Sequence, residues 1–155
     1  MELFLEIMKF GYVDKTGKEV IPCIYTIADS FSEGLAGVAK EGFGFIDTSG
    51  KEVIPLIYDY GSSFSGGLAR VEKGGKHGFI DKSGKEVVPC IYDDATYDFS
   101  EDLLAVNKDG KWGYVDKSGK EVIPFSYDIA GYFLEGLSIV GKGEGSESLK
   151  WGFID

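Results

Sequence analysis

This chain carries one histidine and two cysteines among 155 residues, too few for the side-chain clusters on which most metal and nucleophile chemistry depends. Zinc needs several Cys or His ligands close together, and the inventory denies them. Cys23 and Cys90 do not make a disulfide framework. No apolar run is long enough to span a bilayer, so membrane insertion is not expected. The stretch from Met1 to Met8 is apolar but holds Glu2 and Glu6. It lacks a basic start and a small-residue cleavage site, so it does not read as a signal peptide, and the compartment stays open. No segment sustains a helical period, so little helix is expected. Basic side chains are outnumbered, 16 against 26 acidic ones, for a net charge of −10. Such a surface repels phosphate backbones, which argues against a nucleic-acid partner, and it keeps a strand-rich protein soluble.

What the chain does have is glycine and aromatic rings: 23 Gly, 11 Phe and 9 Tyr favour strands and tight turns. With 43% hydrophobic and 27% charged residues it is neither disordered nor membranous. The rings are periodic. A glycine followed by aromatic, aliphatic and Asp occurs at Gly11, Gly44, Gly78, Gly113 and Gly152, with separations of 33, 34, 35 and 39 residues. Four copies continue into near-identical text: KTGKEVIP from Lys15, TSGKEVIP from Thr48, KSGKEVVP from Lys82 and KSGKEVIP from Lys117. A tyrosine follows each, at Tyr25, Tyr58, Tyr92 and Tyr127, and then Phe-x-x-x-Leu from Phe31, Phe64, Phe99 and Phe133.

Each copy of about 34 residues reads as a three-stranded antiparallel meander. Asp116-Lys117-Ser118-Gly119 places Asp first and Gly fourth, which suits a type I turn with a G1 bulge closing a hairpin. The same structural role falls to Asp14 and Gly17, Asp47 and Gly50, and Asp81 and Gly84. Asn107 to Gly110 reads as a second turn of the same kind, and Pro124 as the end or exposed edge of the third strand. A connector of about ten residues leads to the next copy. The units cover 1–30, 31–63, 64–98, 99–132 and 133–155, the last one incomplete.

The run Trp112-Gly113-Tyr114-Val115-Asp116, the Lys-Ser-Gly turn, Glu121-Val122-Ile123-Pro124, Tyr127-Asp128 and Phe-x-Glu-Gly-Leu resembles the bacterial WG repeat, also called the KWG repeat. The likeness runs from Lys9 through the rest of the chain. It implies a repeat scaffold and implies no reaction. Three copies depart from the signature, with Phe10, Phe43 and His77 at the Trp position.

One such unit cannot bury both faces, so neighbours must stack in series. The expected fold is a single all-β array forming an open, curved β-solenoid; the alternative is a closed, propeller-like ring. Blades of propellers usually carry four strands in about 40–45 residues, and these shorter units favour the open form.

Candidate sites follow from the same pattern. Asp81-Lys82-Ser83-Gly84-Lys85-Glu86 loosely resembles a calcium loop, but calcium wants roughly six to eight oxygens and lysines interrupt the acidic positions. Turn chemistry already accounts for the Asp and the Gly. His77 stands where other copies have Trp, which favours a packing role over a general base. Cys23 and Cys90 stand where Leu56 and Phe125 do in other units, which reads as a small buried hydrophobe. No catalytic residue, metal site or cofactor is expected. The rings at Tyr25, Tyr58, Tyr92 and Tyr127, with Trp112 and Trp151, read first as stacked core. Exposed on one face, they would instead be the ligand contacts of a glycan-binding surface. Gly141 to Lys150 is an insertion whose composition suggests a mobile loop tip. The leading expectation is a non-catalytic scaffold for protein–protein interaction, and the alternative a glycan or cell-envelope binding module. End-to-end self-association is expected from the incomplete last unit.

Overall fold

The computed structural model describes residues 7–143 and 149–154, with 149–153 described as backbone. These residues form seventeen strands in five antiparallel sheets, and none of them is helical. The first sheet pairs β1 (Phe10–Val13) with β2 (Glu19–Tyr25). The second holds β3 (Ile27–Ala28), β4 (Leu35–Ala39), β5 (Phe43–Asp47) and β6 (Glu52–Tyr58). The third holds β7 (Tyr60–Gly61), β8 (Leu68–Lys73), β9 (Lys76–Asp81) and β10 (Glu86–Tyr92). The fourth holds β11 (Asp94–Ala95), β12 (Leu103–Lys108), β13 (Lys111–Asp116) and β14 (Glu121–Tyr127). The fifth holds β15 (Ile129–Leu134), β16 (Leu137–Gly143) and β17 (Leu149–Ile154).

Each full sheet thus contains the three-strand meander plus one short strand drawn from the connector. That strand forms because Ser32-Glu33-Gly34-Leu35 and its counterparts close a tight turn. In the fourth sheet Ser100 and Leu103 exchange backbone hydrogen bonds of 2.9 and 3.0 Å, with Glu101 and Asp102 at φ 49° and 65°. The turn after β12 differs from the sequence reading. Lys108 pairs with Lys111, leaving Asp109 and Gly110 as a two-residue loop at φ 52° and 78°. Positive φ at both positions marks the type I′ geometry, whose twist matches that of the flanking strands.

The glycine of each repeat is a packing requirement. Phe43 stands opposite Tyr58 and Phe45 opposite Ile54, so Pro55, Leu56 and Ile57 bulge against Gly44 alone. A Cβ on Gly44 would lie 2.5 Å from the Ile54 carbonyl oxygen. Trp112 and Tyr114 pair with Tyr127 and Ile123 in the same irregular register. Pro124 therefore does not end its strand. β14 runs through it to Tyr127 along the edge of the sheet, where a bulge needs no proline N–H.

The core is divided among the junctions. One buried cluster joins Ile21 and Tyr25 to Ala36, Val38 and Ile46, across the first and second sheets. Ile54 and Tyr58 meet Phe64, Val71 and Ile80 across the second and third. Val88 and Tyr92 meet Leu104, Val106 and Val115 across the next junction, and Tyr114 meets Phe133 and Val140 across the last. Among the described residues every substantial contact between sheets joins neighbours along the chain, and no contact of that extent joins the first sheet to the fifth. The protein is an all-β tandem array, and its described residues form no closed barrel.

Candidate functional site

The four hairpin turns share one geometry. Asp14 Oδ1 accepts hydrogen bonds from the Thr16 backbone N–H at 2.8 Å, the Thr16 hydroxyl at 2.5 Å and the Lys18 N–H at 3.1 Å. Asp47, Asp81 and Asp116 accept the same set from Ser49 and Lys51, Ser83 and Lys85, and Ser118 and Lys120. The hydroxyl donor first, then the backbone donors, hold all four carboxyls below the usual aspartate value. Gly17, Gly50, Gly84 and Gly119 sit at φ 83°, 84°, 83° and 79°. Gly119 also lies against the preceding sheet, where a Cβ would come 2.6 Å from the Val87 carbonyl oxygen. These carboxylates are spent on their own turns. Among the described residues no group of three or more His, Cys, Asp or Glu could hold a metal ion.

The tyrosine column is core. Tyr25, Tyr58 and Tyr92 are 7%, 4% and 6% exposed, and Tyr127 is partly buried beneath the Lys142 ammonium, 4.8 Å from its ring centroid. Trp112 is partly buried and packs at the last junction, while the Trp151 ring lies outside the described side chains. The tip of the Gly141 to Lys150 insertion, residues 144–148, also lies outside the described residues. The cysteine position corrects the sequence reading. Leu56, Cys90 and Phe125 each pack against the core shared with the preceding sheet, but Cys23, on β2 of the first described sheet, is exposed. Burial pushes the Cys90 thiol up to about 11.

The structure gathers a different group, of which sequence reasoning singled out His77 alone, as a packing residue. Between the third and fourth sheets lies a cavity of about 360 Å³ lined by Tyr60, Arg70, Val71, Glu72, His77 and Tyr97. Tyr60 pairs with Glu72, Glu72 with His77, and His77 with Tyr92, so one cross-strand row spans the whole third sheet. Arg70 Nη2 lies 3.2 Å from Asp94 Oδ1, and the guanidinium sits 4.7 Å from the Tyr97 ring centroid. His77 Nδ1 is 3.8 Å from Glu72 Oε2. The signal available in the sequence was composition: Arg70 is the sole arginine and His77 the sole histidine, on either side of Gly74-Gly75.

A second repeated feature lies on the outer strands. Val20 and Ile24, Val53 and Ile57, Ile91, and Val122 are all exposed, as are Pro22, Pro55, Pro89 and Pro124 beside them. They sit on β2, β6, β10 and β14, the last strand of each of the first four sheets.

A family model described as "WG containing repeat" matches residues 10–42, 43–76, 78–112 and 112–144. No curated protein and no solved structure matches the chain.

Proposed function

The chain belongs to the WG containing repeat family, and from that premise we propose that it is a non-catalytic scaffold that binds protein partners along its array. The observation that carries this reading is the exposed Val, Pro and Ile ladder on successive edge strands. Apolar side chains repeated on one outer edge offer a partner several equivalent contacts, whose combined affinity exceeds that of any one of them. The bulges and prolines interrupt the backbone donors there, so the partner is held by side chains rather than added as a strand. The repeated aspartates support the non-catalytic part. Their lowered values keep them ionised acceptors, ill matched to proton transfer near neutral pH. End-to-end association of copies belongs to the same proposal, and light scattering over a concentration series reads it directly.

The test places a photo-cross-linking amino acid at Ile57 or, as a control, at Lys108, in cells that express the protein. A discrete protein adduct from Ile57 alone supports the reading. Adducts from neither position, or equally from both, overturn it.

A further inference from the structure

The cavity between the third and fourth sheets exists because one unit breaks the repeat twice. In the preceding unit the corresponding place is filled: Phe43 is 1% exposed, and its ring is so close that a Cβ on Gly37 or Gly61 would fall 2.4 Å from it. In the following unit Trp112 occupies the same position, with Ala105 where Gly37 stands. The third unit has His77 for the large ring and Arg70 for the small residue. The smaller imidazole leaves space, and the guanidinium lines it.

The lining says what would fit. Tyr60 and Tyr97 are 54% and 63% exposed, and they stand at the cavity as aromatic walls, one from β7 and one from the connector after β11. Such rings pack against the C–H faces of sugar rings. The polar groups hydrogen-bond without a net positive charge, because Asp94 neutralises Arg70 at 3.2 Å and Glu72 adds a second carboxylate. An anion is therefore repelled, by the site and by the −10 charge of the whole chain. The Arg70 Nε–H is buried and finds no acceptor among the described residues, so the guanidinium is only partly satisfied where it stands. The volume of about 360 Å³ is in the range of small-ligand sites.

We infer that the array carries one neutral-saccharide site, formed by Tyr60, Arg70, Glu72, His77 and Tyr97 at this junction, in addition to its protein-binding edge. The buried tyrosine column takes no part in it. The site is a single local departure from the repeat, and it stands or falls independently of the exposed ladder.

The experiment titrates the intact protein with cellotetraose, N-acetylchitotetraose, maltotetraose and a heparin tetrasaccharide, followed by calorimetry and by amide chemical shifts. A neutral tetrasaccharide should bind and shift the amides of Arg70, His77 and Tyr97. Tyr97→Ala should lower its affinity by about tenfold, and His77→Trp, which restores the ring of the fourth unit, should abolish it. Unchanged thermal unfolding of both variants separates lost binding from lost folding. Binding by none of the three neutral sugars overturns the inference, as does binding that His77→Trp leaves intact or binding of the heparin fragment alone.

Discussion

Phe45 of β5 and Phe64 of the connector after β7 meet edge to face, with ring centroids 4.8 Å apart and planes at 63°. The joint recurs edge to face as Phe79 with Phe99 at 5.4 Å and Tyr114 with Phe133 at 5.1 Å, and tilted at 57° as Tyr12 with Phe31 at 4.9 Å. One ring follows the repeat glycine and the other begins the next Phe-x-x-x-Leu, so each unit docks its ring on its successor. Phe64→Ala should therefore cost about 3–5 kcal/mol in urea unfolding. The loss should appear as a lower midpoint, and a broadened transition would show that the two halves of the array then unfold separately.

Gly44→Ala should be worse than its single added methyl suggests. The new Cβ would meet the Ile54 and Pro55 carbonyl oxygens at 2.5 and 2.6 Å, and both belong to backbone that cannot swing aside. A loss of about 1–3 kcal/mol or more is expected, measured by thermal unfolding. Gly66→Ala makes a contrast in space, since nothing lies within 4 Å of its Cβ and its cost is confined to the positive φ of 57°.

Gly66→Glu should raise stability. At the equivalent place Glu33 accepts from the Gly67 N–H at 3.0 Å and meets Lys82 at 3.2 Å, and Glu101 accepts from the Gly136 N–H at 3.0 Å. The third unit alone has Gly at this position, beside a cavity of about 100 Å³ bordered by Ser65 and Lys117. Gly66 has φ 57°, against 52°, 49° and 54° for Glu33, Glu101 and Glu135, so the backbone already accepts glutamate. The new carboxylate would reach the Asp102 N–H and Lys117. A higher melting temperature for this variant, absent in Gly66→Gln, would show that charge makes the link.

Acid should unfold the array through its turns. Hydrogen bonds lower the folded values of Asp14, Asp47, Asp81 and Asp116 below 3.8. The stability they confer is complete above that unfolded value and is lost as pH falls below it, through the lowered folded values. Melting temperature should therefore be flat from neutral pH to about 5 and drop below about 4. Asp116→Asn should lower the neutral-pH melting temperature and make the acid drop smaller; an unchanged acid drop would remove this turn from the account.

The local chemistry of one unit was legible in the chain. Asp116 and Gly119 announce their turn because a carboxylate that caps N–H groups two and four residues on, and a residue at positive φ, are local needs. Strand order followed from the spacing of those turns, and the stacking of units from the period of the rings. The turn at Asp109-Gly110 was misread because Lys108 and Lys111 extend the ladder by one pair, a matter of register rather than composition.

What residue order alone determined is that this protein is an all-β array of repeated hairpins with periodic rings in its core. Only the tertiary structure decided which rings face solvent. Tyr58 and Tyr60 are two residues apart, yet one is 4% and the other 54% exposed, because the neighbouring sheet covers the first and leaves the second at the cavity. Likewise Arg70 and Asp94, 24 residues apart, become partners only when two sheets stack. Local turns are set by neighbours in sequence, whereas a site between sheets depends on contacts that exist only once the units have packed.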